Sequence, residues 1–404
     1  MNKWPLLTLF LLGLLLTGCT PEQTPDKALA DLTWPQIEQR ARSQTVQLRM
    51  WRGNPNINRY MDGYVTVALK QHYGIDLRIS SGQGNDLVAQ LMAEIEAGSQ
   101  TSQVDMMWIN GETFYQLRRI DALYGPFTGR LPNIAAVDLD NPFINTDFQQ
   151  PVAGFEIPWG NVQLAHIYDA ARTPEPPRTL DALAAWVKAH PGRFTFDTGF
   201  TGMTFLKGLL YALAEQPQAL HGAFDEAVYQ RLSAKLWAYL HQLQPYLWRQ
   251  GKTFPSSVAE LQQLFVNGEV DFSMSNNDAE VELQIRNGVF PATARAYVFD
   301  SGSIQNSHYL GITRHSGHLA AALVVGNFLL SPEAQLEKMK LEVWGDGTIL
   351  DINRLPEQWR KQFLALPTRE HAPPRAELQA KALLEPAPEY MIRLFEDFRR
   401  EMLQ

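Results

Sequence analysis

Hydrophobic and polar positions along the chain alternate between short runs of period two and longer stretches of helical period. Three runs are typical of β-strands, at 46–51 (VQLRMW), 75–80 (IDLRIS) and 104–109 (VDMMWI), and each is followed by a polar turn that contains glycine. Helical patterns at 57–73 and 86–97 separate these strands. Strands separated by helices at this spacing predict right-handed crossovers and a parallel sheet.

The same alternation resumes in a second region that begins near Ile157. Its predicted strands and helices lie at 162–169, 180–189, 203–214, 223–248, 257–266, 270–276 and 294–300. A further strand at 309–313, a helix at 318–330 and amphipathic stretches toward the C-terminus complete the pattern. We therefore predict an α/β protein of two lobes, whose strands end in loops rich in Gly, Asn and Ser.

The N-terminus has the features of an export signal. Lys3 precedes an apolar run of 11 residues, Leu6–Leu16, which is too short to cross a bilayer but has the length of the hydrophobic part of a secretory signal. Leu16-Thr17-Gly18-Cys19 resembles the bacterial lipobox, whose cysteine is lipidated before cleavage. We predict a signal peptide at 1–18 and a lipid-anchored tether at 19–44. An uncleaved anchor helix is the alternative.

Composition excludes several classes of protein. The 404 residues contain one cysteine, so no intramolecular disulfide, thiolate zinc cage or CxxC redox pair can form. A hydrophobic content of 45% is enough for a sizeable core. The formal charge of -8 argues against binding along a nucleic-acid backbone, which needs a concentrated basic surface.

Candidate ligand contacts lie in the loops that follow the strands. In open α/β sheets, ligands bind beyond the carboxyl ends of the strands, where backbone N–H groups and small polar side chains converge. Such loops are Arg52–Asn54, Ser80–Asn85, Asn110–Thr113, Gly199–Gly202 and Ser275–Asp278. Each loop alone is better explained as a turn or a helix cap than as a binding loop. Five of them at successive strand ends predict a shared cleft.

Catalytic and metal-binding motifs are not found in the sequence. It contains no G-x-S-x-G elbow, H-E-x-x-H helix or phosphate-binding G-x-x-x-x-G-K-[ST] loop. His315 and His318 are three residues apart but stand near a predicted helix start, where a solvated cap is the simpler reading. We therefore predict binding rather than turnover, with no metal and no cofactor.

Aromatic side chains are a second candidate feature of the cleft. Trp108 and Trp159 each stand at the end of a predicted strand beside Gly or Asn, and Trp51 and Trp344 are weaker candidates. A cleft aromatic can stack on a planar or cationic ligand.

Four blocks of sequence, in this order, resemble the bacterial extracellular solute-binding proteins of ABC importers. They are 104–123 (VDMMWINGETFYQLRRIDAL), 155–187, 260–277 (ELQQLFVNGEVDFSMSNN) and 320–339 (AAALVVGNFLLSPEAQLEKM). The likeness extends over nearly the whole chain after the predicted signal. It is strongest to the branch that contains polyamine, thiamine and ferric-iron binders.

The resemblance implies a type II periplasmic-binding-protein fold with one ligand held between two hinged lobes. It places lobe 1 at 45–157 plus 301–340 and lobe 2 at 158–300 plus 341–404. It also implies a monomer that works with a membrane permease and its ATPase. Carried over by position, the ligand-binding residues would be Asn54, Ser81, Gly82, Asn110, Gly111, Glu112, Trp159, Asn161, Thr201, Gly202, Asn276 and Asp278.

The expected function is capture of a small polar solute in the periplasm by a lipid-anchored binding protein. A thiamine-like compound, or another small cation or oxyanion, is the expected ligand. Ferric-binding members of the family that the chain resembles use adjacent tyrosines. This sequence has no Tyr-Tyr pair, so the resemblance disfavours iron as the ligand. Two alternatives stay open: a cell-envelope hydrolase or lyase that uses Glu112 or Asp278 as acid and base, and a receptor or scaffold with a vestigial cleft.

Overall fold

Two lobes, each with its own sheet, make up the computed structural model, which describes residues 29–403. The predicted signal peptide and Cys19 lie outside the described residues. The strands are β1 Thr45–Met50, β2 Asp76–Ser81, β3 Met106–Ile109, β4 Thr146–Asp147, β5 Gln150–Pro151, β6 Glu156–Gln163, β7 Ala165–Asp169, β8 Phe272–Ser275, β9 Ala294–Tyr297, β10 Ser303–Ile312 and β11 Ala382–Leu383.

Helices cover the sheets of both lobes. They are α1 Trp34–Ala41, α2 Pro55–Arg59, α3 Thr66–Tyr73, α4 Gly84–Glu96, α5 Gly111–Arg119, α6 Pro142–Asn145, α7 Leu180–Ala189, α8 Phe200–Leu213, α9 Glu226–Leu243, α10 Val258–Val266, α11 Glu280–Arg286, α12 Leu319–Leu329, α13 Pro332–Met339, α14 Glu357–Leu364, α15 Arg375–Gln379 and α16 Pro388–Met402. A π-helical segment, Tyr60–Val65, joins α2 to α3.

The sheet of the first lobe has the order β11-β10-β3-β1-β2, with β6 also paired to β10. Its β1, β2 and β3 are parallel, as the sequence predicts, whereas β10 runs antiparallel to both β3 and β6. The sheet of the second lobe, β8-β7-β9, is antiparallel. The carboxyl ends of β1 and β3 therefore point to one edge of the first lobe, which faces the second.

Long strands carry the chain between the lobes. A single residue, Leu164, separates β6 in the first sheet from β7 in the second. β10 brings the chain back and pairs with β6 over Gln305–Gly311, with a bulge between His308 and Tyr309. Strands that cross without interruption and pair with each other give a hinge that bends as one unit.

Core packing places two segments differently from the predicted domain limits. Ile37 and Ala41, in the predicted tether, are buried in the first lobe, where α1 packs on α12. Trp344 and Phe363, which we expected in the second lobe, also belong to the first-lobe core. Within the segment 341–404, the residues buried in the core of the second lobe come from its last part, from Ala372 onward, and include Tyr390.

Within residues 29–403, no single helix is long and apolar enough to span a membrane, although α12 and α13, which meet at 55°, pass the test of length and composition together.

Candidate functional site

A cavity of about 340 Å³ lies between the lobes, at the edge where the strands end. Both lobes, the crossover strands and the segment that contains Trp344 contribute to its wall. The lining residues that matter for its chemistry are Trp51, Asn54, Gln83, Trp108, Asn110, Gly111, Asp147, Phe148, Asp197, Phe200, Thr201, Gln262, Asn276, Glu280, Asn306, Ser307, His308 and Trp344. The volume is that of a small-molecule site.

The end of β1 supplies one corner of the cavity. Asn54 caps α2, because its side-chain oxygen accepts from the N–H of Asn56 at 2.8 Å and of Ile57 at 3.3 Å. The ring of Trp51 lies over Gly53, where a Cβ would be 2.5 Å from the indole. Glycine at position 53 therefore allows the indole to lie flat against the backbone and face the cavity.

The β4–β5 hairpin supplies a second corner. Its two tip residues, Phe148 and Gln149, have left-handed φ values of +45° and +61°, which are costly for bulky side chains. Several contacts hold the tip in place. The ring of Phe148 lies against Gly111 and 6.4 Å from that of Phe200, and Gln149 donates to the carbonyl of Glu385 at 2.7 Å. The β4–β5 hairpin, which belongs to the first lobe, thus packs against the second lobe.

Asp197 supplies the wall of the second lobe just before α8. One carboxyl oxygen accepts from the N–H of Gly199 at 2.9 Å, and the other is buried with no hydrogen-bond partner among the described residues. Burial raises the pKa of Asp197 to about 6, against the lowering effect of backbone N–H groups that include those of Gly199 and Gly202. The cavity wall thus contains a buried carboxyl group with one oxygen that no described group satisfies.

Glu280, in the first turn of α11, is a second buried carboxyl group in the wall. Gln284 donates to it at 2.6 Å, and the side chains of Gln262 and Asn54 also hydrogen-bond to it. Burial raises the pKa of Glu280, and these hydrogen bonds oppose the effect. Asn54 of the first lobe thus lies close enough to Glu280 to favour its charged form.

His308 and Trp344 form the floor beside the crossover strands. Their rings stack with centroids 5.7 Å apart, and Trp108 meets His308 edge-on at 4.8 Å. His308 Nε2 lies 3.0 Å from Asp346 Oδ1, and the other oxygen of Asp346 pairs with the buried ammonium of Lys338. Asp346 therefore fixes the orientation of the His308 ring, and His308 lines the cavity.

The charge of the cavity wall is one-sided. Three carboxyl side chains line it, those of Asp147, Asp197 and Glu280, and none of the described lining residues is Lys or Arg. Indole and phenyl rings make up much of the remaining surface. Carboxylates stabilise positive charge, and the faces of aromatic rings attract it. This wall favours a small cation over an anion.

The cavity wall includes five of the twelve residues predicted to bind ligand. Asn54, Asn110, Gly111, Thr201 and Asn276 line the cavity, and Asn276 donates to the hydroxyl of Thr201 at 3.1 Å. The three tryptophans Trp51, Trp108 and Trp344 line it as well.

The other seven predicted residues lie outside the wall. Trp159 is 1% exposed and packs edge-on against Trp108 in the core. Asp278 is occupied in a buried ion pair with Arg369, and Glu112 lies behind Asp147, whose pKa its charge raises. The remaining four, which take part in strand ends, strand pairing and helix packing, are Ser81, Gly82, Asn161 and Gly202.

Sequence reasoning missed the carboxyl groups that define the charge of the wall. A signal for Asp197 existed, because it stands two residues before the glycine-containing loop 199–202. Asp147 is the second residue of a two-residue strand without Gly or Pro, and Glu280 is the first residue of a helix, so neither stands out from ordinary polar positions.

Of the two histidines near α12, His318 has a structural role. His318 Nδ1 lies 3.2 Å from both oxygens of Asp105, and the hydroxyl of Ser316 donates to Asp105 at 2.6 Å. Within the described part of the chain, no group of three or more His, Cys, Asp or Glu side chains is arranged to hold a metal ion.

Two α/β lobes, crossover strands and a cavity between them define a binding protein of the type II periplasmic class. The chain belongs to the family of bacterial extracellular solute-binding proteins, whose pattern it matches over residues 64–362. It is 40% identical to Protein YnjB of Escherichia coli (strain K12) over 351 residues, which cover 86% of this chain and 90% of that protein.

Solved structures show the same fold at low sequence identity. The chain is similar to the spermidine/putrescine ABC transporter substrate-binding protein PotD of Streptococcus pneumoniae, with a TM-score of 0.57, 17% identity and coverage of 88% of this chain and 99% of that one. It is also similar to the periplasmic binding protein AfuA of Actinobacillus pleuropneumoniae with fructose-6-phosphate bound, with a TM-score of 0.61, 13% identity and coverage of 89% and 98%. The chain is similar as well to apo ferric ion-binding protein A of Pasteurella haemolytica. The TM-score is 0.59, the sequence identity is 14%, and the match covers 88% of this chain and 96% of that one.

Proposed function

We propose that this chain is the substrate-binding component of an ABC importer, held at the outer face of a membrane by a lipid on Cys19. Membership of the solute-binding family supports the binding role, and the fold is one that PotD of Streptococcus pneumoniae uses in an ABC transporter. The lipobox-like Leu16–Cys19 supports the anchor. The chain works as a monomer that closes on its solute and passes it to the permease and its ATPase.

The ligand is a small organic cation. The observation that carries this proposal is the set of buried carboxyl groups, Asp147, Asp197 and Glu280, around a cavity whose described wall has no Lys or Arg. An oxyanion would face these groups without a cationic partner, which disfavours it in a dry site. The fructose-6-phosphate named for AfuA is therefore a poor guide to this cavity.

A thiamine-like cation is our first candidate within that class. Trp51, Trp108 and Trp344 offer faces for a flat heteroaromatic ring, and the carboxyl groups offer acceptors for an amino group and neutralise a ring cation. A linear polyamine, the ligand named for PotD, is the second candidate because it needs the carboxyl groups but not the aromatic faces.

Native mass spectrometry of the mature protein purified from cells tests the proposal directly. We expect a co-purified organic cation small enough for a cavity of about 340 Å³. A panel of thiamine, putrescine, choline and inorganic phosphate, followed by thermal shift, should give stabilisation by cations only. Stabilisation by phosphate and by none of the cations would refute the cationic ligand.

The enzymatic alternative has weaker support. It assigned acid–base chemistry to Glu112 or Asp278, but Asp278 pairs with Arg369 and neither carboxyl group lines the cavity. We therefore propose capture without turnover. Conversion of the bound cation by the purified protein, detected by mass spectrometry, would contradict it.

A further inference from the structure

Asp147 connects the cavity to a group of buried carboxyl side chains behind its wall. We call Glu112, Asp147, Glu156 and Glu385 the acid cluster. Asp147 and Glu156 are 3% and 0% exposed. Asp147 lines both the ligand cavity and a small void of about 10 Å³, and that void also reaches Glu385. The cluster thus lies behind the cavity wall and reaches the cavity through Asp147.

The acid cluster has too few hydrogen-bond donors for four ionised groups. One oxygen of Asp147, one of Glu112 and both of Glu156 are buried without a partner among residues 29–403. Only Glu385 is well satisfied, since Lys207 Nζ lies 2.5 Å from one of its oxygens and Asn306 donates to the other at 3.0 Å.

Positive charge near the cluster is also scarce. The titratable and charged groups that face Asp147 and its neighbour Glu156 from α5, α8, β6, β10 and the segment after β11 are Glu112, Arg118, Glu156, Lys207, Tyr309 and Glu385. Lys207 is already paired with Glu385, and the guanidinium of Arg118 lies over the ring of Phe155 at 3.4 Å. Four carboxylates would therefore face two cations, each already engaged.

An unpaired carboxylate in a dry interior is less stable than the neutral acid, so it takes up a proton. We propose that the acid cluster stores a proton in the empty cleft and releases it to solvent when positive charge enters. Capture of the cation and loss of the proton are then one event. This inference rests on the cationic ligand proposed above.

The direction of the pKa shifts agrees with this geometry. Burial, followed by the charges of Glu112 and Glu385, raises the pKa of Asp147 well above its ordinary value, and burial and the charge of Asp147 do the same for Glu156. Burial, and then the charges of Asp147 and Glu156, raise the pKa of the neighbouring Tyr309 well above its ordinary value. Tyr309 therefore stays neutral and donates its hydrogen bond to the carbonyl of Ile144. By linkage, a site that loses a proton on binding holds its cation more weakly as the pH falls.

Difference infrared spectroscopy tests the stored proton without any ligand. At neutral pH the empty wild-type protein should show the C=O stretch of a buried carboxylic acid, and Asp147→Asn with Glu156→Gln should remove it. Asn306→Lys places a fixed ammonium beside the cluster and should remove most of the band, whereas the matched uncharged variant Asn306→Met should keep it. A wild-type protein without the band, or a band that is equal in both Asn306 variants, overturns the inference.

Calorimetry with thiamine as the probe separates the two proposals. Repeated in buffers of different ionisation enthalpy, it should report release of about one proton per thiamine bound. Binding with no proton released would overturn proton storage and leave the cationic ligand intact. If thiamine does not bind but the infrared band responds to Asn306→Lys, the proton store is supported and thiamine is rejected as the ligand.

Discussion

The ring of Phe148 lies so close to Gly111 that a Cβ at position 111 would be 2.2 Å from the ring carbon Cδ1. This contact joins the first turn of α5 to the tip of the β4–β5 hairpin, and both residues line the cavity. The backbone of α5 can approach the hairpin only because residue 111 has no side chain.

Gly111→Ala should therefore displace Phe148 from its place in the cavity wall. Forced overpacking of this kind costs about 1–3 kcal/mol of unfolding free energy, and the altered wall should weaken ligand binding as well. Gly208→Ala is the matched control, since a Cβ at position 208 on α8 would meet no described atom within 4 Å outside its own helix. Urea unfolding of the two variants should differ in sign, because alanine in an open helix position stabilises by about 0.5–1 kcal/mol. Equal stability of the two would refute this account.

Removal of the ammonium of Lys207 should be among the most destabilising single changes in the second lobe. Lys207 and Glu385 are 0% and 5% exposed, and Lys207→Met would leave the carboxylate buried without its partner. We expect a loss of about 3–5 kcal/mol, measured by urea unfolding. The double variant Lys207→Met with Glu385→Leu should recover most of this loss.

An exposed ion pair provides the contrast. Lys361 and Glu357 lie 2.7 Å apart on α14 with side chains 73% and 66% exposed. Lys361→Met should change stability by less than about 0.5 kcal/mol. If Lys207→Met changed the free energy of unfolding as little as Lys361→Met does, the buried ion pair would not contribute to stability.

β1, β2 and β3 could be predicted to within about two residues, because alternation of buried and exposed side chains is a local property. The strand predicted at 309–313 was too short, since β10 spans Ser303–Ile312, and β6 was not predicted with its bounds. The parallel arrangement of β1, β2 and β3 followed from the helices between them. The β4–β5 hairpin could not be predicted, since Phe148 and Gln149 adopt left-handed φ values that sequence normally signals with Gly or Asn. Only the packing of the two lobes holds them there.

The candidate site was predictable in position but not in charge. Loops after β1 and β3 placed Asn54 and Asn110 at the cavity, because the ends of these parallel strands share one edge of the sheet. The carboxyl groups were missed because their role depends on what lies opposite. Asp278 has a buried partner and Asp197 has one oxygen without a described partner, yet in sequence both are acidic residues beside a polar loop.

Trp51 should contribute directly to binding of the cation. Its indole lies over Gly53 and faces the cavity, so Trp51→Leu removes an aromatic face and leaves apolar volume. A cation–π contact contributes about 0.5–2 kcal/mol, so affinity should fall about twofold to thirtyfold in calorimetry. Trp359→Leu, on the periphery of the first-lobe core and away from the cavity, is the control. An equal effect of both substitutions would show that Trp51 acts through stability alone.

Asp197 should make the stability of the empty protein depend on pH. Its pKa is about 6 in the folded chain and 3.8 ordinarily, so the folded state holds the proton more tightly than the unfolded state does. The free energy of unfolding therefore falls as the pH rises from 3.8 to about 6. Above that range the full loss of stability remains. The shift in pKa corresponds to a loss of about 3 kcal/mol of unfolding free energy at a pH above both pKa values.

Asp197→Asn removes this penalty and keeps an oxygen that can accept from Gly199. We expect the variant to be more stable than the wild type by up to about 3 kcal/mol at pH 7 and equal to it near pH 4, in urea unfolding at each pH. It should also bind the cation more weakly, because a neutral amide replaces the carboxylate. Asp140→Asn, at an exposed loop position, controls for the substitution. A stability difference that does not change with pH, or unchanged affinity, would show that Asp197 does not carry the charge that receives the ligand.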